Sequence, residues 1–295
     1  MAARFAKFKH DQGYDDKADP DWMMVPKGGT NRCYLEGAAN LELRCEPAGF
    51  ATVKFGQKKA GSETTKEVLV TGVKPNKSQV TKIIAHAKGS SSTVKAELEI
   101  DVFELLKVNV GFNFVKDKAG HATVRTNADI ESILRVMNGI FTPQTNIEFW
   151  AHAQNACPVD ANLGSTVMMG SNEVTKIIKA KKAAQVDWNV FFVWGIVDND
   201  DVCEADGMTC QGESTAAFNK KENAMIEDIT DLTRVGLILA HEAGHFLGYR
   251  HGRTEKMKPN LMYYKPSKPE ITRNQARLFR NRGNWAQSPP PYGNP

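Results

Sequence analysis

Hydrophobic and polar residues alternate along the N-terminal third of the chain in a pattern that is typical of β-strands. Leu41, Leu43 and Cys45 alternate with charged residues, so one face of this segment is apolar. Similar short segments, separated by clusters of turn-forming residues, follow at 51–55, 67–71, 82–88 and 93–102. Short strands at this spacing predict an antiparallel β-sandwich over residues 22–105.

After residue 105 the pattern changes to apolar strands that alternate with helical periodicity. Strands are predicted at 106–115, 147–152 and 189–197. Between them, Ile130, Ile133 and Met137 recur at helical spacing within a predicted helix at 127–141, for which Asn127 is the expected cap. The sequence therefore predicts an α+β protein, in which an all-β domain precedes a domain with a mixed sheet and helices.

Two further helices are predicted in the C-terminal quarter of the chain. The first begins near Asp231, whose side chain can cap free amides, and ends at Gly248, because glycine accepts a left-handed backbone. The second is predicted at 271–282. The predicted division is a loose leader (1–21), the sandwich (22–105), the mixed domain (106–285) and a flexible tail (286–295).

Composition and charge narrow the range of partners. The 295-residue chain has a net charge of +4, which is too small to indicate a nucleic-acid partner. Its apolar stretches are shorter than the roughly 18 residues of a membrane span, and the first ten residues have no apolar signal core. We expect no membrane span. We also expect a protein that is cytoplasmic before it is secreted or delivered by a route that needs no signal peptide.

The segment from His241 to His251 contains three of the seven histidines of the chain. On an α-helix, His241 and His245 lie one turn apart on the same face, so both imidazoles can reach one metal ion. Gly248 then ends the helix and lets the chain return His251 to the metal. Three protein ligands leave one position for water, as in catalytic zinc sites. Glu242 is placed beside that water, where it can act as the general base.

This spacing of three histidines, a glutamate and a glycine, with a methionine turn at 260–264, resembles the metzincin clan of zinc metallopeptidases. The resemblance implies a catalytic domain with a mixed sheet, an active-site helix and a C-terminal helix. It also implies that Met262 forms a hydrophobic floor beneath one catalytic Zn²⁺, with Met257 as the competing candidate. Tyr264 matches a tyrosine of the astacin-like and serralysin-like branches that approaches the metal or stabilises the oxyanion, and a packed aromatic is the alternative.

A second resemblance concerns the predicted sandwich. Residues 25–35 and the strands that follow are similar to bacterial immunoglobulin-like domains, and this likeness rests on pattern rather than on a sharp motif. The segment contains no candidate catalytic residues. The resemblance therefore implies an accessory domain with a spacer or binding role.

Two loops of the mixed domain are also candidates for binding. The acidic loop at 198–207 has clustered carboxylates, which are ligands that Ca²⁺ prefers, although the spacing is not that of an EF-hand and a solvated turn is the alternative. Residues 213–218 are a candidate edge strand, with which an extended peptide could pair through main-chain hydrogen bonds.

These observations predict a zinc-dependent endopeptidase that acts on proteins or peptides. One alternative keeps the metal but changes the substrate, as in a zinc amidase that acts on cell-wall or small peptide-like molecules. Another is a catalytically silent zinc-containing binding module. The missing signal peptide and the bacterial-type accessory domain fit a bacterial effector or toxin, for which a secretion machine and an inhibitor or immunity protein are the expected partners.

Overall fold

The computed structural model describes residues 2–7, 13–59, 64–76, 79–168, 171–181, 186–197, 223–249, 260–262 and 269–282, and the statements below refer to these residues. They form fifteen strands and four helices in several sheets, so the predicted α+β class is confirmed. The chain separates into two compact units. Unit 1 comprises residues 1–106, 141–146 and 270–277, and unit 2 comprises 107–140, 147–269 and 278–295.

Nine strands of unit 1 form two sheets. The strands are β1 (Arg4–Ala6), β2 (Tyr14–Asp15), β3 (Trp22–Pro26), β4 (Thr30–Glu36), β5 (Leu41–Glu46), β6 (Ala51–Lys59), β7 (Lys66–Gly72), β8 (Thr81–Ala87) and β9 (Val94–Phe103). One sheet has the order β1-β4-β7-β6 and the other β2-β3-β9-β8-β5. The predicted antiparallel pairing is wrong for β3 and β9, which are parallel. Parallel neighbours need a long connection, and the strands between β3 and β9 supply it.

The core of unit 1 lies between these two sheets. Cys33 and Leu35 from one sheet meet Ile83, Leu98 and Ile100 from the other, and all five side chains are buried. The apolar positions predicted at 41, 43 and 45 pack against this core. Because successive side chains of a strand point to opposite faces, the alternation in the sequence produces one buried face per sheet.

The prediction of a loose leader at 1–21 is wrong for two segments of it. Phe5 of β1 is buried in the core, and β1 pairs with β4 in antiparallel register. Tyr14 of β2 is buried as well, and β2 pairs with β3. Burial of a large aromatic side chain stabilises a fold by about 1.5–3 kcal/mol. This stabilisation explains why both segments are ordered although most of their neighbours are polar.

Unit 2 is built on a four-stranded sheet. Its strands and helices are β10 (Leu106–Asp117), α1 (Asn127–Thr145), β11 (Ile147–Val159), β12 (Val167–Met168), α2 (Asn172–Ala180), β13 (Trp188–Val193), β14 (Ile196–Val197), β15 (Asn223–Glu227) and α3 (Leu232–Phe246). The first residue of β10 and residues 141–145 of α1 belong to unit 1. The sheet order is β11-β10-β13-β15, in which β13 is parallel to both of its neighbours. The fourth helix, α4 (Arg273–Arg282), corresponds to the helix predicted at 271–282.

The start of α1 differs from the prediction. Asn127 is the first residue of the helix and not its cap. The carboxylate of Asp129 instead accepts hydrogen bonds from the backbone N–H and the hydroxyl of Thr126. An acidic side chain that reaches back to the N–H of a threonine three positions earlier is one half of the capping box, so the cap lies one residue earlier than we predicted.

Helix α3 is anchored at its start and along its length. Asp231 accepts a hydrogen bond of 2.8 Å from the N–H of Thr233, which confirms the predicted cap. At Gly236 a β-carbon would lie 2.6 Å from the Cβ of Val136, so α1 crosses α3 at a point with no room for a side chain. Phe246 stacks on Trp188 of β13 with ring centroids 5.6 Å apart. The position of α3 in unit 2 is therefore fixed by packing on both α1 and the sheet.

None of the helices in the described part of the chain is both long and apolar enough to cross a membrane.

Candidate metal-binding site

The last two turns of α3 bring two of the three predicted ligands, His241 and His245, together. The ring centroids of His241 and His245 are 4.9 Å apart and their planes are inclined by 85°. Glu242 lies between them in the sequence and is buried, with 4% of its surface exposed. The spacing of four residues on one helix produces this arrangement, because 3.6 residues complete a turn.

The tautomer of His241 follows from its hydrogen bond. Its Nδ1 lies 2.8 Å from the backbone carbonyl oxygen of Leu261. A carbonyl oxygen can only accept a hydrogen bond, so Nδ1 carries a proton, and in the neutral ring Nε2 carries the lone pair. This is the tautomer that binds a metal through Nε2, and a fixed partner at Nδ1 is the usual support of such a ligand.

His245 has the same kind of partner from a different part of the chain. Its Nδ1 lies 2.8 Å from the carbonyl oxygen of Tyr249, so here too the proton is on Nδ1 and the lone pair on Nε2. Burial lowers the pKa of His245, against a smaller opposing effect of the hydrogen bond to Tyr249. Burial therefore favours the neutral form of His245, and the hydrogen bond to Tyr249 leaves Nε2 as the donor atom of that neutral ring.

The end of α3 explains how the Tyr249 carbonyl reaches His245. Gly248 has a left-handed backbone with φ of +100°, as we predicted from the glycine. Its N–H donates to the carbonyl of His245 at 2.8 Å, and the N–H of Tyr249 donates to the carbonyl of Gly244 at 3.0 Å. This pair of bonds is the usual glycine-terminated helix end, and it turns the chain so that the carbonyl of Tyr249 faces the imidazole.

The short turn at Asn260, Leu261 and Met262 packs against the same helix. The N–H of Met262 donates to Oδ1 of Asn260 at 2.9 Å, and both residues are buried. A β-carbon on Gly244 would collide with Sδ of Met262 and would lie 3.0 Å from its Cε. Met262 therefore occupies the space that a side chain at Gly244 would need. Gly244 lies between His241 and His245 in the sequence of the helix.

Several predicted residues lie outside the described part of the chain. These are His251, Met257, Tyr264, the acidic loop at 198–207, the edge strand at 213–218 and the tail at 286–295. Among the described residues no group of three or more His, Cys, Asp or Glu side chains is placed to hold a metal ion. The described part of the site consists of His241, His245 and the neighbouring Glu242. Two imidazoles with Nε2 as the donor atom fit a zinc ion by their chemistry.

The residues that sequence reasoning missed act through their backbone or through small size. Leu261 and Tyr249 each supply a carbonyl to one imidazole, and side-chain identity gives no signal for this role. Gly244 was detectable in principle, because a glycine in the middle of a helix costs about 1 kcal/mol relative to alanine and so suggests a close contact.

Comparisons with known proteins do not place the chain in a family. No family model and no curated protein matches it. Solved structures with partial likeness include a chimeric titin Z1Z2 (14% identity, 35% of this chain, 96% of that chain, TM-score 0.20). A chaperone–substrate complex has 10% identity over 74% of this chain and 39% of that chain, with a TM-score of 0.35. A sialyltransferase from Photobacterium damsela has 6% identity over 60% and 36%, with a TM-score of 0.20. Likenesses this partial assign neither a fold family nor a function.

Proposed function

We propose that this protein is a zinc-dependent endopeptidase whose unit 2 is a metzincin-like catalytic domain. The observation that carries the proposal is the pair of imidazoles on α3, each of which donates Nδ1–H to a backbone carbonyl and so has Nε2 as its donor atom. A helix with surface histidines by accident would have no reason to place a carbonyl at both Nδ1 atoms.

The residues of the chain divide the work as follows. His241 and His245 would hold the zinc through Nε2, and His251 is the third ligand that the motif supplies. When bound, the zinc lowers the pKa of water and polarises the scissile carbonyl. Glu242 accepts the proton of the attacking water and returns it to the leaving amine. Its burial beside the ligands keeps bulk water away from this carboxylate.

We further propose that unit 1 is an accessory domain of the bacterial immunoglobulin-like type. Its two-sheet core and the absence of catalytic motifs in its sequence support this role. The substrate of the whole protein is then a protein or an extended peptide, and delivery as a bacterial effector remains the expectation from the sequence.

The decisive experiment compares the wild type with Glu242→Gln. The variant is expected to bind one zinc ion per chain by elemental analysis but to lose turnover of a peptide library by about 10²–10⁴-fold, the usual contribution of a general base. Glu131→Gln is the matched control, because Glu131 is exposed and pairs only with Arg135 among the described residues. Cleavage sites mapped in denatured proteome digests then show whether protein is the substrate.

Two results would contradict the proposal. Unchanged turnover in Glu242→Gln would remove Glu242 from the base role. A wild type that binds zinc but cleaves no peptide would leave an amidase for smaller substrates or a silent binding module. A cell-wall peptide assay with a chelator control separates these two.

A further inference from the structure

The turn at Asn260–Met262 contacts α3 at two points that are about one helical turn apart. The carbonyl of Leu261 accepts the Nδ1 proton of His241, and Met262 lies in the space that a β-carbon on Gly244 would need. The first contact determines which nitrogen of His241 carries the proton. The second contact fixes the position of the turn along the helix axis. The direction of the Leu261 carbonyl therefore depends on what holds the turn in shape.

The amide side chain of Asn260 closes that turn. Its Oδ1 accepts the N–H of Met262, two residues later, at 2.9 Å, which is the local hydrogen bond by which asparagine stabilises turns. Asn260 and Leu261 are both buried, and Met262 is fully buried, so water is poorly placed to replace this bond. The peptide units on either side of Leu261 are held in one orientation as a result.

We propose that Asn260 is a positioning residue of the metal site, which acts by aiming the Leu261 carbonyl at Nδ1 of His241 and so selects the Nε2-donor tautomer. The consequence for zinc rests on the proposed function, but the consequence for the tautomer does not. When Oδ1 is removed, the Met262 N–H loses its acceptor and the turn rearranges to satisfy it. The carbonyl then leaves Nδ1, and the His241 proton distributes between the two nitrogens.

The test measures the His241 tautomer in the metal-free protein by long-range ¹H–¹⁵N correlation spectra of the imidazoles. Wild-type His241 is expected in the Nδ1–H form. Asn260→Ala is expected to show a mixture of tautomers at His241, with His245 unchanged because its partner is Tyr249. Asn260→Ser retains an oxygen that can accept the same N–H and is expected to restore the wild-type form.

The matched control is Asn76→Ala. Asn76 is equally buried and also accepts a backbone N–H through Oδ1, from Val102, but it lies in unit 1. The Asn76→Ala variant is expected to be less stable than the wild type, as Asn260→Ala is, but to keep the wild-type tautomer of His241. If Asn260→Ala does not fold, Asn260→Gln serves instead, because the added methylene displaces the oxygen while the polarity is retained.

Zinc affinity provides the second readout, by competition with a chromophoric chelator. Asn260→Ala is expected to bind zinc about 10–100-fold more weakly than the wild type, as is usual when the partner of a ligand is lost, and Asn260→Ser is expected to recover most of this loss. A folded Asn260→Ala or Asn260→Gln protein with the wild-type His241 tautomer overturns the inference. A wild type in the Nδ1–H form that binds no zinc refutes the proposed function but leaves the positioning role standing.

Discussion

Two groups of histidine side chains in the described part of unit 2, one on α3 and one beside β10, differ in the group that faces Nδ1. On α3, both rings donate to backbone carbonyls, those of Leu261 and Tyr249. At the end of β10, His121 instead has Nδ1 2.9 Å from the carboxylate of Asp117 and stacks on Trp194. A carbonyl partner orients an imidazole without adding charge, whereas a carboxylate also attracts a positively charged ring. The comparison shows that the imidazoles on α3 face neutral backbone acceptors, whereas the imidazole of His121 faces a carboxylate.

The carboxylate of Asp117 has a lowered pKa in the same setting. Burial would raise its pKa, but hydrogen bonds from the His121 ring and from the N–H groups of Leu163 and His121 outweigh burial and lower the pKa to about 2. These bonds tie together β10, the turn that follows it and the chain after β11. The role that follows from this geometry is structural, in contrast to the metal-binding role that we propose for the pair on α3.

Replacing one ring from each setting separates the two roles most sharply. His241→Ala is expected to weaken zinc binding by more than about 100-fold, beyond the 10–100-fold typical for the loss of a ligand's partner. His121→Ala is expected to leave zinc affinity unchanged and to lower stability. Chelator competition and urea unfolding on both variants measure this. Equal zinc affinities for the two variants would refute the assignment of the ligands.

Glycines with left-handed backbones accompany both settings and give a matched pair for the second test. Gly248 has φ of +100° at the end of α3, and Gly164 has φ of +79° beside Leu163. Alanine in such a conformation costs about 1–2 kcal/mol, so both replacements are expected to lower the free energy of unfolding. Gly248→Ala is additionally expected to weaken zinc binding by about 10–100-fold, since it displaces the Tyr249 carbonyl.

Urea melts measure the stability of the two alanine variants, and zinc titrations of separate folded samples compare their zinc affinities. Equal zinc affinities for Gly248→Ala and Gly164→Ala would contradict the hypothesis that the end of α3 orients His245 for metal binding.

The smallest expected effect concerns pH. The pKa of Asp117 is lowered to about 2 from an ordinary 3.8, so its ionised form stabilises the fold above about pH 4, and this contribution is lost as the pH falls through about 2. Asp117→Asn is expected to lower the free energy of unfolding at pH 7 by about 1.5–3 kcal/mol, the range for hydrogen bonds to a charged group. The difference from the wild type should narrow between pH 4 and pH 2.

Urea melts of the wild type and Asp117→Asn at pH 7, 4 and 2.5 measure this difference. A gap that stays constant with pH would show that the ionised carboxylate is not the source of the stability.

The sequence predicted those parts of the site that depend on local rules. The start of α3 at Asp231 and its end at Gly248 follow from side-chain capping and from the freedom of glycine, and both are observed. The helical spacing of His241 and His245 likewise requires no knowledge of the rest of the fold. Strand alternation at 41–46 identified a buried face for the same reason.

Features that depend on contacts between distant segments or on the backbone were not predictable from the sequence. The carbonyl of Leu261 meets His241 across twenty residues, and any residue type at 261 has such a carbonyl. The parallel pairing of β3 with β9 joins segments more than seventy residues apart, and no turn between them sets the register. The burial of Phe5 was hidden because the polar residues around it outweigh one aromatic in a composition argument.

The crossing of α1 and α3 constrains how these helices can vary. At Gly236 the nearest atom to a would-be β-carbon is the branched Cβ of Val136, and the carbonyl of Ile133 is 3.1 Å away. The Ile133 carbonyl is part of the main chain, and the Cβ of Val136 does not move when the side chain changes rotamer. Neither atom can therefore make room for a β-carbon at position 236. Any variant that adds a methyl at 236 has to remove volume at 136, so two positions a hundred residues apart in the chain are expected to change together or not at all.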